Sequence, residues 1–113
     1  MNKMGARILV YPGSFNQTTG PLHWELLLRG RALDTQCYTV GVSAAQCKEE
    51  PELYQAWGHS TVVDPFGKVV VGLDENPDIA YCEVDPEYTE QVRTQIPLRN
   101  QKRHDLYKLE ALE

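Results

Sequence analysis

The stretch Ala6-Arg-Ile-Leu-Val-Tyr-Pro-Gly-Ser-Phe-Asn-Gln-Thr-Thr-Gly-Pro-Leu-His-Trp-Glu-Leu-Leu-Leu-Arg-Gly-Arg-Ala32 decides the fold. Ile8 to Tyr11 is an uninterrupted apolar run, short enough for a strand covered on both faces of a mostly parallel sheet. Pro12 and Gly13 end it, and Ser14 to Thr19 form a polar loop. Gly20-Pro21 then opens a helix, because proline at the first helical position gives up a backbone donor that has no partner there anyway. Thr18, Thr19 or Gly20 can cap it. Trp24, Leu27, Leu28 and Arg31/Ala32 recur at helical spacing and predict one apolar stripe running to about Asp34. In open α/β sheets, ligands sit beyond the carboxyl ends of strands and against helix N-termini, which is where the 14–19 loop falls.

The remaining chain continues the alternation. Tyr38–Ser43 reads as a second strand, parallel to the first because one helix joins them. Ala44–Gln55 is a polar surface loop. Ser60–Asp64 and Lys68–Leu73 form a hairpin around Asp64-Pro65-Phe66-Gly67, with proline and glycine where a tight turn favours them. Ile79–Val84 reads as a fifth strand. Asp85 caps a helix opened by Pro86 and running to about Gln95, where Ile96-Pro97 breaks it. Residues 98–113 are a charged tail, helical in part between Arg99 and Leu112. The Trp24 and Pro86 helices are expected to cover one face of the sheet and to leave the other open.

Composition sets the bounds. The chain has 113 residues, enough for one small domain, with 42% hydrophobic and 24% charged residues. That balance excludes wholesale disorder. Net charge is −5. The one basic run, Gln101-Lys102-Arg103-His104, is too short to argue for nucleic acid and reads as a solvated or partner-binding tail. No apolar run approaches the ~20 residues of a membrane span. Residues 1–5 lack the apolar core of a signal peptide, so the expected location is the cytosol. Asn16-Gln17-Thr18 matches a glycosylation pattern that has no use without secretion.

Several segments together resemble the nitrilase superfamily of carbon–nitrogen hydrolases, most closely its omega-amidase branch. Tyr11 to Glu25 follows the branch's YPG-x-FN-x-TTGP-x-HWE segment. Further matches are Ala56 to Val63, Pro65-x-Gly67, Gln95-Ile96-Pro97, and Gln101-Lys102-Arg103-x-Asp105-Leu106-Tyr107. The resemblance runs over roughly residues 6 to 107 and covers only the C-terminal portion of the family's domain. It implies an α/β chain, the C-terminal half of a four-layer α-β-β-α sandwich with a mixed sheet of about five strands. A mitochondrial location is the alternative to the cytosol if a targeting segment precedes the chain.

The resemblance implies hydrolysis of an omega-amide of a dicarboxylic acid to the acid and ammonia, with no cofactor and no metal. The family uses a Glu–Lys–Cys set: the thiolate attacks the carbonyl, the glutamate moves protons and the lysine stabilises the oxyanion. Its nucleophile lies in a C-Y-D-x-R-[FY]-P-E setting upstream of the matched segment. Cys37-Tyr38 reproduces two of those residues, but Thr39 and Gly41 replace the Asp and Arg, and Cys37 precedes a strand rather than following one. The chain is therefore expected to be catalytically incomplete and inactive alone. Cys47 sits among Glu49, Glu50 and Glu52, whose charge disfavours a thiolate, and Cys82 reads as core. The three cysteines form no even disulfide framework.

For binding, the resemblance points to Phe15 and Thr19 beside the nucleophile. Phe15 would be an apolar wall. Thr18, Thr19 and backbone amides at the helix start would hold a carboxylate. Helix capping plus a core aromatic is the other reading of the same residues. His23, His59 and His104 lack metal-ligand spacing; structural hydrogen bonding is expected of His23 and His59, and a helix-dipole role of Glu25. The expected partners are a second copy of the chain or a full-length relative. In the family, the Pro21–Asp34 helix lies in a subunit interface and the tail reaches the neighbouring subunit. A non-catalytic assembly module is the alternative function.

Overall fold

The computed structural model describes residues 4–108 and 110. Six elements follow in the order β1 (Ile8–Pro12), α1 (Thr19–Thr35), β2 (Tyr38–Val42), β3 (Thr61–Val63), β4 (Val69–Gly72) and α2 (Pro86–Gln95). They build a mixed sheet of order β1-β2-β3-β4. β1 and β2 are parallel, with Ile8 opposite Tyr38 and Val10 opposite Val40. β2–β3 and β3–β4 are antiparallel. The βαβ unit and the hairpin are as the sequence predicts.

Side chains alternate across the sheet, so one face carries Leu9, Thr39 and Val63. α1 covers that face. Trp24, Leu28, Ala32 and Val63 form the buried cluster, with Tyr11, Phe15, Trp57 and Val69 packed around it. The buried stripe of α1 is Gly20, Trp24, Leu28, Ala32, a strict every-fourth-residue row. Leu27, expected in the stripe, is 52% exposed, and Arg31 is exposed as well. Polar ties fix the helix on the sheet: Thr39 Oγ1 donates to the Leu28 carbonyl at 3.0 Å, and Arg29 Nε donates to the Gly67 carbonyl at 2.9 Å.

The hairpin turn is held by Asp64. Its carbonyl accepts from the Gly67 amide at 3.0 Å, and its carboxylate accepts from Phe66 N and Lys68 N at 2.8 and 3.0 Å. α2 starts as expected, with the Asp85 side chain accepting from Glu87 N and Pro86 at the first helical position.

α2 does not lie on the sheet face. It crosses the ends where β1 and β2 begin, held by Arg93, whose Nη2 donates to the Ala6 carbonyl at 2.9 Å, and by Gln36 Nε2, which donates to the Ile96 carbonyl at 2.6 Å. Burial pushes the Glu90 carboxyl up, but the guanidinium groups of Arg93 and Arg7 outweigh it and hold the group below the usual range. Of the two described helices, α1 is therefore the one that covers the packed face.

Four expectations are corrected. Ile79–Val84 is not a strand: Ile79 is 75% and Tyr81 89% exposed, and the sheet has four strands rather than five. Alternation makes a strand only where a neighbour can complete its hydrogen bonds, and among the described residues none lies beside this segment. Cys82, expected in the core, is accordingly exposed. β1 is covered on one face only: Leu9 is buried, while Ile8 is 46% and Val10 59% exposed on the other. The described part of the tail forms turns rather than helix, with Gln101 N donating to the Pro97 carbonyl and Arg103 bridging Asp105; residues 109 and 111–113 lie outside the described residues. No helix among the described residues is long and apolar enough to cross a membrane.

Candidate functional site

The loop between β1 and α1 lies beyond the carboxyl end of β1. Gly13 N donates to the Val42 carbonyl at 2.9 Å, which anchors the loop to the end of β2. Asn16 then organises the turn into the helix. Its Oδ1 accepts from Thr18 N at 3.0 Å, Thr19 N at 2.8 Å and Thr19 Oγ1 at 3.0 Å, while its carbonyl accepts from Gly20 N at 2.8 Å. Pro21 has no donor. Thr18, Thr19 and Gly20 were the expected caps, yet Thr18 makes no side-chain cap bond. The first-turn amides expected to cradle a carboxylate are thus already engaged by Asn16, whose amide oxygen stands where an anion's oxygen would stand. Hydroxyls, not backbone amides, are what this loop offers a ligand.

A strap running from Tyr54 to His59 holds the loop from the other side. Tyr54 Oη donates to the Ser14 carbonyl at 3.2 Å, Gln17 Nε2 to the Ala56 carbonyl at 2.8 Å, and Trp57 N to the Phe15 carbonyl at 2.6 Å. Gly20 is required by this approach: a Cβ there would stand 2.1 Å from Trp57 Cγ. Phe15 meets Trp24 edge-on, with ring centroids 5.3 Å apart at 67°. It lines an apolar cleft of about 260 Å³ between the end of β1 and α1, together with Tyr11, Gly13, Trp24, Leu27 and Arg31. Arg31 is the cation of that cleft. Thr18 and Thr19 do not line it, so the structure separates Phe15 from the two threonines named beside it.

The other candidates fall elsewhere. Cys37 is fully buried at the start of β2, at the opposite end of the sheet from the loop. Its thiol donates to the Ala6 carbonyl at 3.1 Å, and Arg93 Nη2 lies 3.4 Å from the sulfur. Cys47 is half-buried in the 44–55 loop. Among the described residues no group of three or more His, Cys, Asp or Glu is arranged to hold a metal ion.

Glu25 pairs with Arg29 one turn on, at 3.3 Å. His23 is exposed, and no side-chain hydrogen bond reaches it among the described residues, against expectation. His59 has the structural role expected of it: its Nδ1 lies 2.6 Å from the Trp57 carbonyl. A carbonyl only accepts, so Nδ1 carries the proton. Asp74, whose carbonyl accepts from His59 N, has its carboxyl held below the usual range by hydrogen bonds from the Asn76 backbone and side chain.

Asn16 and Gln17 are the site residues that pattern reading misses. The available signal was an Asn three residues before a helix's first residue, the spacing of an Asx cap. Replacing Asn16 with alanine removes the acceptor of three bonds and is expected to lower unfolding free energy by ~1–2 kcal/mol. Asn16→Asp, which keeps the acceptor, should recover most of it. Urea unfolding of both variants measures this, and equal losses in the two would contradict a capping role.

The comparisons with known proteins agree with this architecture. The carbon–nitrogen hydrolase family model matches residues 1–94. The omega-amidase NIT2 of Xenopus tropicalis is 50% identical over 109 residues, covering 96% of this chain and 39% of that protein. Nitrilase homolog 2 of Dictyostelium discoideum is 46% identical over 112 residues, covering 99% of this chain and 34% of its own length. Among solved structures, the C. elegans NitFhit protein superposes with a TM-score of 0.86 at 40% identity, over 95% of this chain and 26% of that one. Saccharomyces cerevisiae Nit3, a member of branch 10 of the nitrilase superfamily, gives 0.83 at 46% identity, over 90% and 37%. The chain spans between a third and two-fifths of the length of these two curated relatives. With its parallel β1-α1-β2 unit, antiparallel hairpin and family match, this chain belongs to the carbon–nitrogen hydrolase family and has the architecture of the C-terminal part of its α-β-β-α domain.

Proposed function

We propose that this chain is the substrate-wall portion of an omega-amidase-type hydrolase, which converts an omega-amide of a dicarboxylic acid to the acid and ammonia. The observation that carries the reading is Phe15: it lines an apolar cleft beyond the end of β1 and is locked there by Trp57 and Trp24. In this reading Phe15 packs against the methylene chain of the substrate, and Arg31, the cation of the same cleft, faces its carboxylate. Such a wall acts by orientation. It holds the amide carbonyl in line for attack and keeps water off the reacting face. The thiolate, the proton-moving glutamate and the oxyanion-stabilising lysine of the family come from other residues than those matched here. No Cys-Tyr-Asp-x-Arg setting occurs in these 113 residues, and Cys37 lies at the wrong end of the sheet.

The 113-residue chain by itself is expected to release no ammonia above background from succinamate or glutaramate. Release that disappears in Cys37→Ser would overturn that expectation. The substrate assignment is tested by joining this chain behind the portion of the Xenopus tropicalis omega-amidase that it does not match. The chimera should hydrolyse both amides, and Phe15→Ala should lower kcat/KM about ten-fold or more, equivalent to ~1.4 kcal/mol. A folded chimera without amidase activity sinks the reading. The second reading, a non-catalytic module that pairs with itself or with a full-length relative, is favoured by the exposed sheet face and by Leu22, Leu26 and Leu33 on the outer side of α1.

A further inference from the structure

We infer that His59 is a positioning residue for the candidate site: its carbonyl holds Trp24 and its ring holds Trp57, so that Phe15 is fixed through both its ring and its backbone. The inference rests on the reading of Phe15 as the substrate wall. His59 has φ of 58°, in the left-handed region, directly after Gly58 at 74°. Non-glycine residues with positive φ are uncommon, histidine being one of the few types enriched there, so the surroundings that hold it are informative. Such strain persists only where the surroundings over-determine it, and it collects at functional sites.

The surroundings here are specific. His59 N donates to the Asp74 carbonyl at 2.9 Å. The His59 carbonyl accepts from Trp24 Nε1 at 2.7 Å and from Thr61 Oγ1 at 2.6 Å. The Nδ1–H donates to the Trp57 carbonyl, and the imidazole stacks on the Trp57 indole with centroids 4.0 Å apart and planes 6° from parallel. Left-handed geometry at Gly58 is equally constrained, since a Cβ there would lie 2.8 Å from Glu75 Cα.

Two paths then converge on Phe15. Along one, the His59 carbonyl sets the rotation of the Trp24 indole, whose ring meets the Phe15 ring. Along the other, the imidazole locks the Trp57 ring and carbonyl, and the Trp57 amide donates to the Phe15 carbonyl at 2.6 Å. A backbone-only residue at position 59 would keep the first path and lose the second.

The test uses the full chain labelled with ¹⁵N, whose two tryptophans give two indole N–H signals. His59→Gly keeps the left-handed backbone. It should leave the Trp24 indole signal in place, shift the Trp57 indole signal and the Phe15 amide, and weaken the Phe15–Trp24 ring cross-peaks. His59→Asn keeps the backbone and restores a donor to the Trp57 carbonyl, so it should recover Phe15–Trp24 intensity relative to glycine. Unchanged Phe15 signals in a folded His59→Gly chain overturn the inference. Failure of asparagine to recover anything, or loss of the fold in both variants, does so too, because His59 would then be a general stability residue. An inactive chimera would remove the substrate reading and leave these shifts standing; an active chimera with unmoved Phe15 signals would remove this inference alone.

Discussion

Trp24→Ala is expected to cost ~3–5 kcal/mol of unfolding free energy, the range for removing a large aromatic from a packed core. Trp24 is 5% exposed and packs with Leu28, Ala32 and Val63, while its ring supports Phe15 and its Nε1 donates to the His59 carbonyl. Alanine therefore opens a cavity between α1 and the sheet and leaves the carbonyl of a strained residue with one donor fewer. That loss is comparable to the whole stability of a small domain, roughly 5–15 kcal/mol. Trp24→Phe fills most of the volume and loses mainly the indole donor, so it should cost ~1–2 kcal/mol. Urea unfolding at one fixed chain concentration separates the two. An alanine variant within about 1 kcal/mol of the parent chain would show that the Trp24 cluster is not the core.

Sedimentation at micromolar concentration is expected to show that the chain does not persist as a compact monomer. α1 covers the face carrying Leu9, Thr39 and Val63, whereas α2 lies across the strand ends. The opposite face carries Ile8, Val10 and Val42 at 46%, 59% and 46% exposure, and among the described residues it is covered at its Tyr38 end, where Asp85 N donates to the Tyr38 hydroxyl. Among the described residues β1 also presents an unpaired edge, since it pairs there with β2 alone. At ~25 cal/mol per Å², leaving several hundred Å² of apolar surface in water forfeits on the order of 10 kcal/mol. Association that buries this face, with a second copy or a full-length relative, is expected to recover much of it. Val10→Lys should weaken association and leave α1 packed, because Val10 points away from Trp24. A monodisperse, cooperatively melting monomer that binds no apolar dye would refute the expectation.

The elements legible in the sequence were those fixed by local chemistry. The Ile8–Tyr11 run, the turn Asp64-Pro65-Phe66-Gly67 and the Asp85-Pro86 helix start each carry their own hydrogen-bonding or dihedral instruction within a few residues. The parallel pairing of β1 and β2 followed from a handedness rule that needs only the order of elements. The site loop was legible in position, since a loop after a buried strand and before a helix has one place to go. Its internal chemistry was not. Thr18 and Thr19 looked like the polar groups of an anion cradle, and Asn16 looked like a chance match, because sequence order does not say which side chain the helix start will use.

What the sequence by itself determined is the order β-α-β-β-β as far as Gly72, the closing helix, the family and the position of the loop before α1. Tertiary structure decided the rest. The Ile79–Val84 segment alternates as a strand should, yet a strand exists only when a neighbour completes its hydrogen bonds, and no neighbour stands beside it among the described residues. Leu27 keeps helical spacing, yet Gly20, Trp24, Leu28 and Ala32 take the sheet, because the strap at Trp57 can approach only over Gly20. Gln36 and His59 adopt left-handed conformations that their neighbours in sequence do not dictate; part-buried bonds from Gln36 to the Ile96 carbonyl and from Trp24 to the His59 carbonyl hold them there. Periodicity and turn residues act over a few positions. Partners separated by tens of residues are chosen by packing, and packing is settled only when the whole chain has closed around its core.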